Sequence, residues 1–204
     1  MESSTLETVM MVISFSLLAA TLITAVRAAN NAWPAREQYL RAIEQTIREL
    51  SDVIGGRLVD PPHDHLQAHV VRNGLDVCVS IEHDNSPNDG VYTAIAVALP
   101  PGRAWRTPRL CYRKTAPFDI DLTSPEVFER YFSGARAHDL PEETRKRLLQ
   151  LAQQDCLIRL YDRELLLFVS LPDPSSGRRT FLTNAQRQSV LIDATAQVAL
   201  DLIR

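Results

Sequence analysis

The side chains best suited to chemistry are concentrated in one stretch of the chain. His65, His69, Cys78 and Glu82, with His63 and Asp84 beyond them, are ligand types for zinc or another borderline metal. A hairpin would bring them together: LQAHVVR and LDVCVSIE alternate with period two and flank Asn73-Gly74, a pair that tolerates the positive φ of a two-residue turn. That turn fixes the register. Val70 then faces Val77, Ala68 faces Val79 and Leu66 faces Ile81 on an apolar side, while His69 meets Cys78, Gln67 meets Ser80 and His65 meets Glu82 on the other. Neighbours two apart on a strand are about 7 Å apart, so a flat sheet would not close four such side chains around one ion. Ordinary cross-strand pairs on a solvated face account for the same residues. A metal-dependent enzyme on the His65/His69/Cys78/Glu82 face is therefore the alternative reading, and no residue is assigned as a metal ligand or a catalytic group.

A second cluster has different chemistry. GRAWRTPRLCYRK interleaves Arg103, Arg106, Arg109, Arg113 and Lys114 with Trp105 and Tyr112. Basic and aromatic side chains together suit a surface that meets phosphate, in lipid headgroups or nucleic acid. Arg103, Trp105, Arg106, Arg109, Arg113 and Lys114 are the residues expected to contact lipid. Nucleic acid is the less favoured partner, because the net charge is -3, with 22 Lys and Arg against 25 Asp and Glu. Asp119 and Asp121, two apart in FDIDL, read as strand-end or loop carboxylates. The sequence has no Gly-x-Ser-x-Gly, no glycine-rich phosphate loop and no His-Glu-x-x-His, so hydrolase, NTPase and zincin chemistry lack their usual signatures. The expectation is a protein that is not an enzyme and carries no cofactor.

The elements that would position these residues begin with Thr8 to Val26, TVMMVISFSLLAATLITAV, which is uncharged. As a helix it would be about 28 Å long, close to the roughly 30 Å hydrocarbon thickness of a bilayer. A cleaved signal peptide is the rival, but such peptides carry positive charge before the apolar run, and Met1 to Glu7 has only Glu2 and Glu7. Arg27, Arg36 and Arg41 lie on the other side, which places the C-terminal domain in the cytoplasm of a single-pass protein of the cell membrane. Ser16, Ala20, Thr24 and Ala28 recur every four residues and form a small-residue face for helix–helix contact, with a second copy or with other membrane subunits.

The soluble remainder is long enough for one domain with a real core. Three cysteines, Cys78, Cys111 and Cys156, without a CxxC pair suit a reducing compartment. After Trp33 and Pro34, an amphipathic helix places Leu40, Ile43, Ile47, Leu50 and Ile54 on one stripe and ends at Gly55-Gly56. VYTAIAVALP reads as a third strand whose alanines, Ala94, Ala96 and Ala98, would admit a close-packed helix; RLCYRK reads as a fourth strand and FDIDL as an extended piece. Ser124 and Pro125 start a short helix, and LPEETRKRLLQLAQQ makes another. CLIRLYD and ELLLFVSL form a second hairpin, the latter apolar enough to be buried on both faces. A last helix, Asn184 to Ile203, turns Val190, Leu191, Ala194 and Val198 toward the sheet.

From FDIDL onward, the order of short helix, LPEETRKRLLQLAQQDCLIRLYDRELLLFVSL, polar loop and terminal amphipathic helix resembles a class of uncharacterised bacterial single-pass membrane-anchored proteins with a C-terminal α+β domain. The resemblance implies an anchored single domain and no activity. The expected organisation is an anchor over 1–29, an amphipathic juxtamembrane helix over 30–56 and a soluble α+β domain over 57–204, an antiparallel sheet of hairpins packed against C-terminal helices. The expected function is a membrane-anchored binding and assembly module, an accessory or structural subunit of a larger membrane complex.

Overall fold

The computed structural model describes residues 37–61, 66–83, 90–154, 156–172 and 179–203. The expected span, with Ser16, Ala20, Thr24 and Ala28, lies outside them, and among the described residues no helix is long and apolar enough to cross a membrane. The chain divides into two compact units, Met1–Ile43 and Glu44–Arg204. Helix α1 covers 37–54, and its first turns, 37–43, are the described part of the first unit. They carry an exposed Glu37–Arg41 pair at 2.5 Å, four residues apart, which contributes only tenths of a kcal/mol, about 0.3–0.5.

The second unit is α+β: four helices and an eight-stranded antiparallel sheet among the described residues. The strands are β1 (Arg57–Val59), β2 (Gln67–Arg72), β3 (Leu75–His83), β4 (Val91–Ala98), β5 (Leu110–Tyr112), β6 (Phe132–Ser133), β7 (Leu157–Leu160) and β8 (Glu164–Val169), in the order β1-β2-β3-β4-β8-β7-β5-β6. The helices are the end of α1, α2 (Pro125–Tyr131), α3 (Glu142–Gln153) and α4 (Ala185–Leu202). A two-stranded ribbon, β9 (Leu171–Pro172) with β10 (Arg179–Thr180), joins β8 to α4.

Local chemistry sets most boundaries. Asn73 and Gly74 take φ of 53° and 78°, the conformation their turn requires, and the hairpin register is the expected one from Arg72–Leu75 through Val70–Val77 to Ala68–Val79. On its other edge β2 pairs with β1, from Arg57–His69 through Leu58–Ala68 to Val59–Gln67, a strand without a clear signal in the sequence. The Ser124 side chain accepts from the Val127 N–H at 3.3 Å and starts α2, and the Asn184 side chain accepts from the Arg187 N–H at 2.9 Å and starts α4.

Alternation then divides the sheet into two unlike faces. Val77, Val79, Ile81, Thr93, Ile95, Val97, Leu165, Leu167 and Val169 share one face through the β3–β4–β8 register, and all are buried. Helix α4 lies on this face against β2, β3, β4 and β8, with α3 beside it. Arg72 ties helices to this face: Nε donates to Asp193 Oδ1 of α4 at 2.9 Å and Nη2 to the Ile54 carbonyl at the end of α1 at 2.9 Å. Leu148, Leu149 and Ala152 of α3 and Leu191, Val198, Ala199 and Leu202 of α4 complete the core.

Four expectations need correction. The alanines of β4 face away from α4, because in a strand with period two the branched residues Thr93, Ile95 and Val97 took the helix-covered side. The run ELLLFVSL is buried on one side only: Leu165, Leu167 and Val169 are inside, whereas Leu166 and Phe168 are partly accessible. FDIDL forms turns and bends rather than an extended piece, with Phe118 exposed. Val190 of α4 points outward at 67% exposure, since the inward stripe runs through Leu191, Thr195 and Val198.

Candidate functional site

The sheet face opposite α4 leaves several side chains accessible, although Ala94 in its middle is buried at 2% exposure. Its rows follow from the strand register. One row crosses all eight strands as Arg57, His69, Cys78, Ala96, Leu166, Arg159, Cys111 and Ser133, each the register partner of the next. A second row runs through Ser80, Ala94, Phe168 and Leu157. Leu157, Leu166 and Phe168 thus form a partly exposed apolar ridge over β7 and β8, beside the shorter side chains of β3 and β4. Tyr92 borders the ridge with its ring edge-on to Phe168, centroids 6.5 Å apart. Exposed Asp76, Glu82 and Glu164 surround it, and Arg159 stands next to Leu166. Both signs of charge are therefore present on one face.

His69 and Cys78 lie opposite each other on β2 and β3, as the turn dictates. They share an acceptor: Gln67 Oε1 lies 3.3 Å from His69 Nε2 and 3.4 Å from Cys78 Sγ, an arrangement in which the ring N–H and the thiol both donate to the amide oxygen. Glu82 stands four residues beyond Cys78 on β3 and accepts from Ser80 Oγ at 3.3 Å. His65, His63 and Asp84 lie outside the described residues. Among the described residues no three His, Cys, Asp or Glu side chains come close enough to hold a metal ion.

The basic run is spread over several environments. Trp105 is buried at 8% exposure, pairs by a bridge with Ile203, and its indole N–H finds no acceptor among the described residues. Arg106 is tied to the end of α4: its N–H donates to the Leu202 carbonyl at 2.6 Å and its Nε to the Asp201 carbonyl at 2.9 Å. Arg103 and Arg109 are exposed. Lys114 lies over the Tyr131 ring, 5.4 Å from its centroid. Arg113, fixed by its N–H to the Tyr131 carbonyl at 2.8 Å, lines a shallow hollow of about 330 Å³ with Glu129, Ser133, Gly134 and Arg136. The Glu129 carboxylate accepts the Ala137 N–H at 3.0 Å through Oε1 and lines the same hollow as the two arginines. Arg136 joins Arg113 only through the β5–β6 pairing, so proximity along the chain could not have found it.

Asp121, one of the paired acids, has a local role. Its Oδ1 accepts from the Thr123 hydroxyl at 2.7 Å and the Thr123 N–H at 2.8 Å, bonds that hold the carboxyl below its ordinary range. It shapes the turn into α2. Compared with protein-family models, curated proteins and solved structures, the chain matches none.

Proposed function

We propose that this chain is a non-catalytic assembly module held at a membrane by its apolar segment 8–26, an accessory subunit of a larger membrane complex. In this reading the domain lies on the cytoplasmic side. The accessible sheet face receives a second copy of the chain, and Arg103, Arg109, Arg113 and Lys114 serve the anionic lipid surface. The observation that carries the assembly role is the ridge of Leu157, Leu166 and Phe168, partly exposed in the middle of a sheet face whose opposite side already holds the core.

Two features favour a second copy as the occupant. The strands run from two residues in β6 to nine in β3, so about 20 outward positions at roughly 4.8 by 7 Å each give a face of roughly 700 Å², near the ~800 Å² per partner of a standard stable interface. A two-fold contact sets a patch against itself, so a patch of one charge sign would repel its copy. This face carries Arg57 and Arg159 as well as Asp76, Glu82 and Glu164.

The test is gentle solubilisation of native membranes holding a tagged and an untagged copy, followed by light scattering and mass spectrometry of what co-purifies. Recovery of the untagged copy with the tagged one, lost on Phe168→Glu, is the expected result, with further stoichiometric proteins identifying the complex. A monomer without associated proteins would overturn the reading. Recovery of a different protein in place of the second copy, also lost on Phe168→Glu, would keep the face and replace its occupant.

A further inference from the structure

The hollow beside β6 holds charges that do not satisfy one another. Arg113, Arg136 and Glu129 line it, yet among the described residues no ion pair joins them and neither guanidinium makes a hydrogen bond. The Glu129 carboxylate uses Oε1 on the Ala137 N–H and leaves Oε2 without a partner among the described residues. Gly134 and Ala135 line the hollow too, and among the described residues their N–H groups make no hydrogen bond. A third cation adjoins it: the Arg109 side chain passes Gly134, its Cγ 3.1 Å from where a Cβ would stand. Positive charge therefore exceeds negative around a space of about 330 Å³, which has room for a tetrahedral oxyanion.

The frame around these groups is set in advance. Arg136 follows β6 in a segment that is bonded on both sides of it. Before it, the hydroxyl of buried Thr107 lies 3.3 Å from the Gly134 carbonyl and 3.0 Å from the Arg109 carbonyl, placed to donate to either. After it, Arg145 Nη1 donates to the Ala137 carbonyl at 2.9 Å and to the Leu140 carbonyl at 2.7 Å. Arg113 is held by its own N–H on the Tyr131 carbonyl. An oxyanion entering between the two guanidinium forks therefore orders side chains and not backbone, which lowers the cost of binding.

We infer that this hollow binds a phosphate that still carries a proton, either free hydrogenphosphate or the phosphomonoester headgroup of a lipid. The free-ion form is independent of the assembly reading, and the lipid form rests on the membrane contact proposed above. Guanidinium forks match the oxygens of phosphate in pairs. A carboxylate beside them repels a bare oxyanion but accepts a hydrogen bond from a P–OH. Inorganic phosphate keeps such a proton near neutral pH, and a phosphomonoester keeps one below about pH 6, whereas sulfate has none. The three side chains together thus select phosphate over sulfate, an anion of the same shape.

The test is titration calorimetry of the full chain, purified in uncharged detergent, with inorganic phosphate and with sulfate. Phosphate is expected to bind on the order of tenfold more tightly than sulfate, and Arg113→Ala or Arg136→Ala to weaken it by about tenfold or more, the usual contribution of a charge-assisted bond. Arg187→Ala on α4 removes the same charge elsewhere and should leave binding unchanged. Glu129→Gln keeps an acceptor for the Ala137 N–H but removes the carboxylate charge, so sulfate should gain and the preference disappear. Repeating the phosphate titration below about pH 6 in phosphatidylcholine nanodiscs, with and without phosphatidic acid, separates the two sources. Phosphate affinity that falls when phosphatidic acid is present assigns the site to the headgroup, and unchanged affinity assigns it to the free ion. Absence of phosphate binding, binding untouched by both arginine substitutions, or equal affinity for the two anions whatever stands at position 129 overturns the inference. Co-purification of copies decides the assembly reading separately in each case.

Discussion

Replacing Thr93 by Val changes almost no volume and removes one hydroxyl, which makes it a direct probe of how the β10–α4 connection is held to the sheet. Thr93 is fully buried on the helix-covered face of β4, and its Oγ1 accepts the Leu182 N–H at 2.9 Å. Leu182 is itself fully buried, so no water replaces the lost acceptor. A buried donor left without a partner costs about 1–3 kcal/mol, which in a unit of this size lowers the melting temperature by roughly 2–12 °C. Gln188→Leu tests the other side of the same segment. The Gln188 side-chain amide donates to the Leu182 carbonyl, but its Oε1 is buried with no partner among the described residues. Leucine removes a bond and an unsatisfied atom together, and the two effects offset to within about 1 kcal/mol. Thermal unfolding followed by circular dichroism, with exchange of the Leu182 amide proton as the local readout, should rank Thr93→Val as the more damaging change. Equal stability of Thr93→Val and wild type, or a larger loss for Gln188→Leu, would refute this reasoning.

Two further tests address other points of the fold. Gly74 and Gly134 both take positive φ, 78° and 87°, but a Cβ at Gly74 meets nothing within 4 Å whereas one at Gly134 would stand 2.8 Å from the Arg109 carbonyl oxygen. Gly74→Ala should therefore cost the conformational strain alone, about 1–2 kcal/mol, and Gly134→Ala measurably more in chemical denaturation; equal losses would count against the tight approach of β6 to the segment before β5. The Thr123 hydroxyl and then its N–H lower the folded pKa of Asp121, so this group contributes stability above its unfolded pKa of about 3.9 and loses it as pH falls through the folded value. Asp121→Asn should then differ from wild type at about pH 7 and converge with it at about pH 2, as read by urea midpoints; a gap that widens in acid would reverse the assignment.

Local signals in the sequence carried the local structure. Asn73-Gly74 set a two-residue turn and with it five register pairs, because positive φ at both positions admits few alternatives. Ser124 with Pro125, and Asn184, marked helix starts through side chains that satisfy free N–H groups. What alternation alone could not settle was which face of β4 and β8 the helices cover. Both strands are apolar on both sides, and the choice rests on where the buried stripe of α4 packs, a contact between distant segments of the chain that the Arg72–Asp193 bond, 121 positions apart, illustrates. The insertion of β8 beside β4, which separates β4 from β5, likewise leaves no local mark. The metal-type face was legible as a register: His69 and Cys78 face each other as the turn requires and converge on Gln67, while His65 lies outside the described residues. Trp105 was legible as an amphipathic ring but not as an inward one, since only the distant C-terminal Ile203 supplies the strand bridge beside it.

The same ambiguity that hid the helix-covered face bears on assembly. A strand with one buried and one solvated side ordinarily alternates apolar with polar residues, and β7 and β8 depart from this at Leu157, Leu166 and Phe168. Those three side chains add nothing to the helix-facing core, and their partial exposure works against solubility of a lone copy. If a second sheet covered them, alternation would fail for the reason it fails in a sandwich, where both faces of a strand are inside. In the assembly reading those are the positions that the partner covers, which is why Phe168, in the middle of that apolar group, is the position from which to probe the contact.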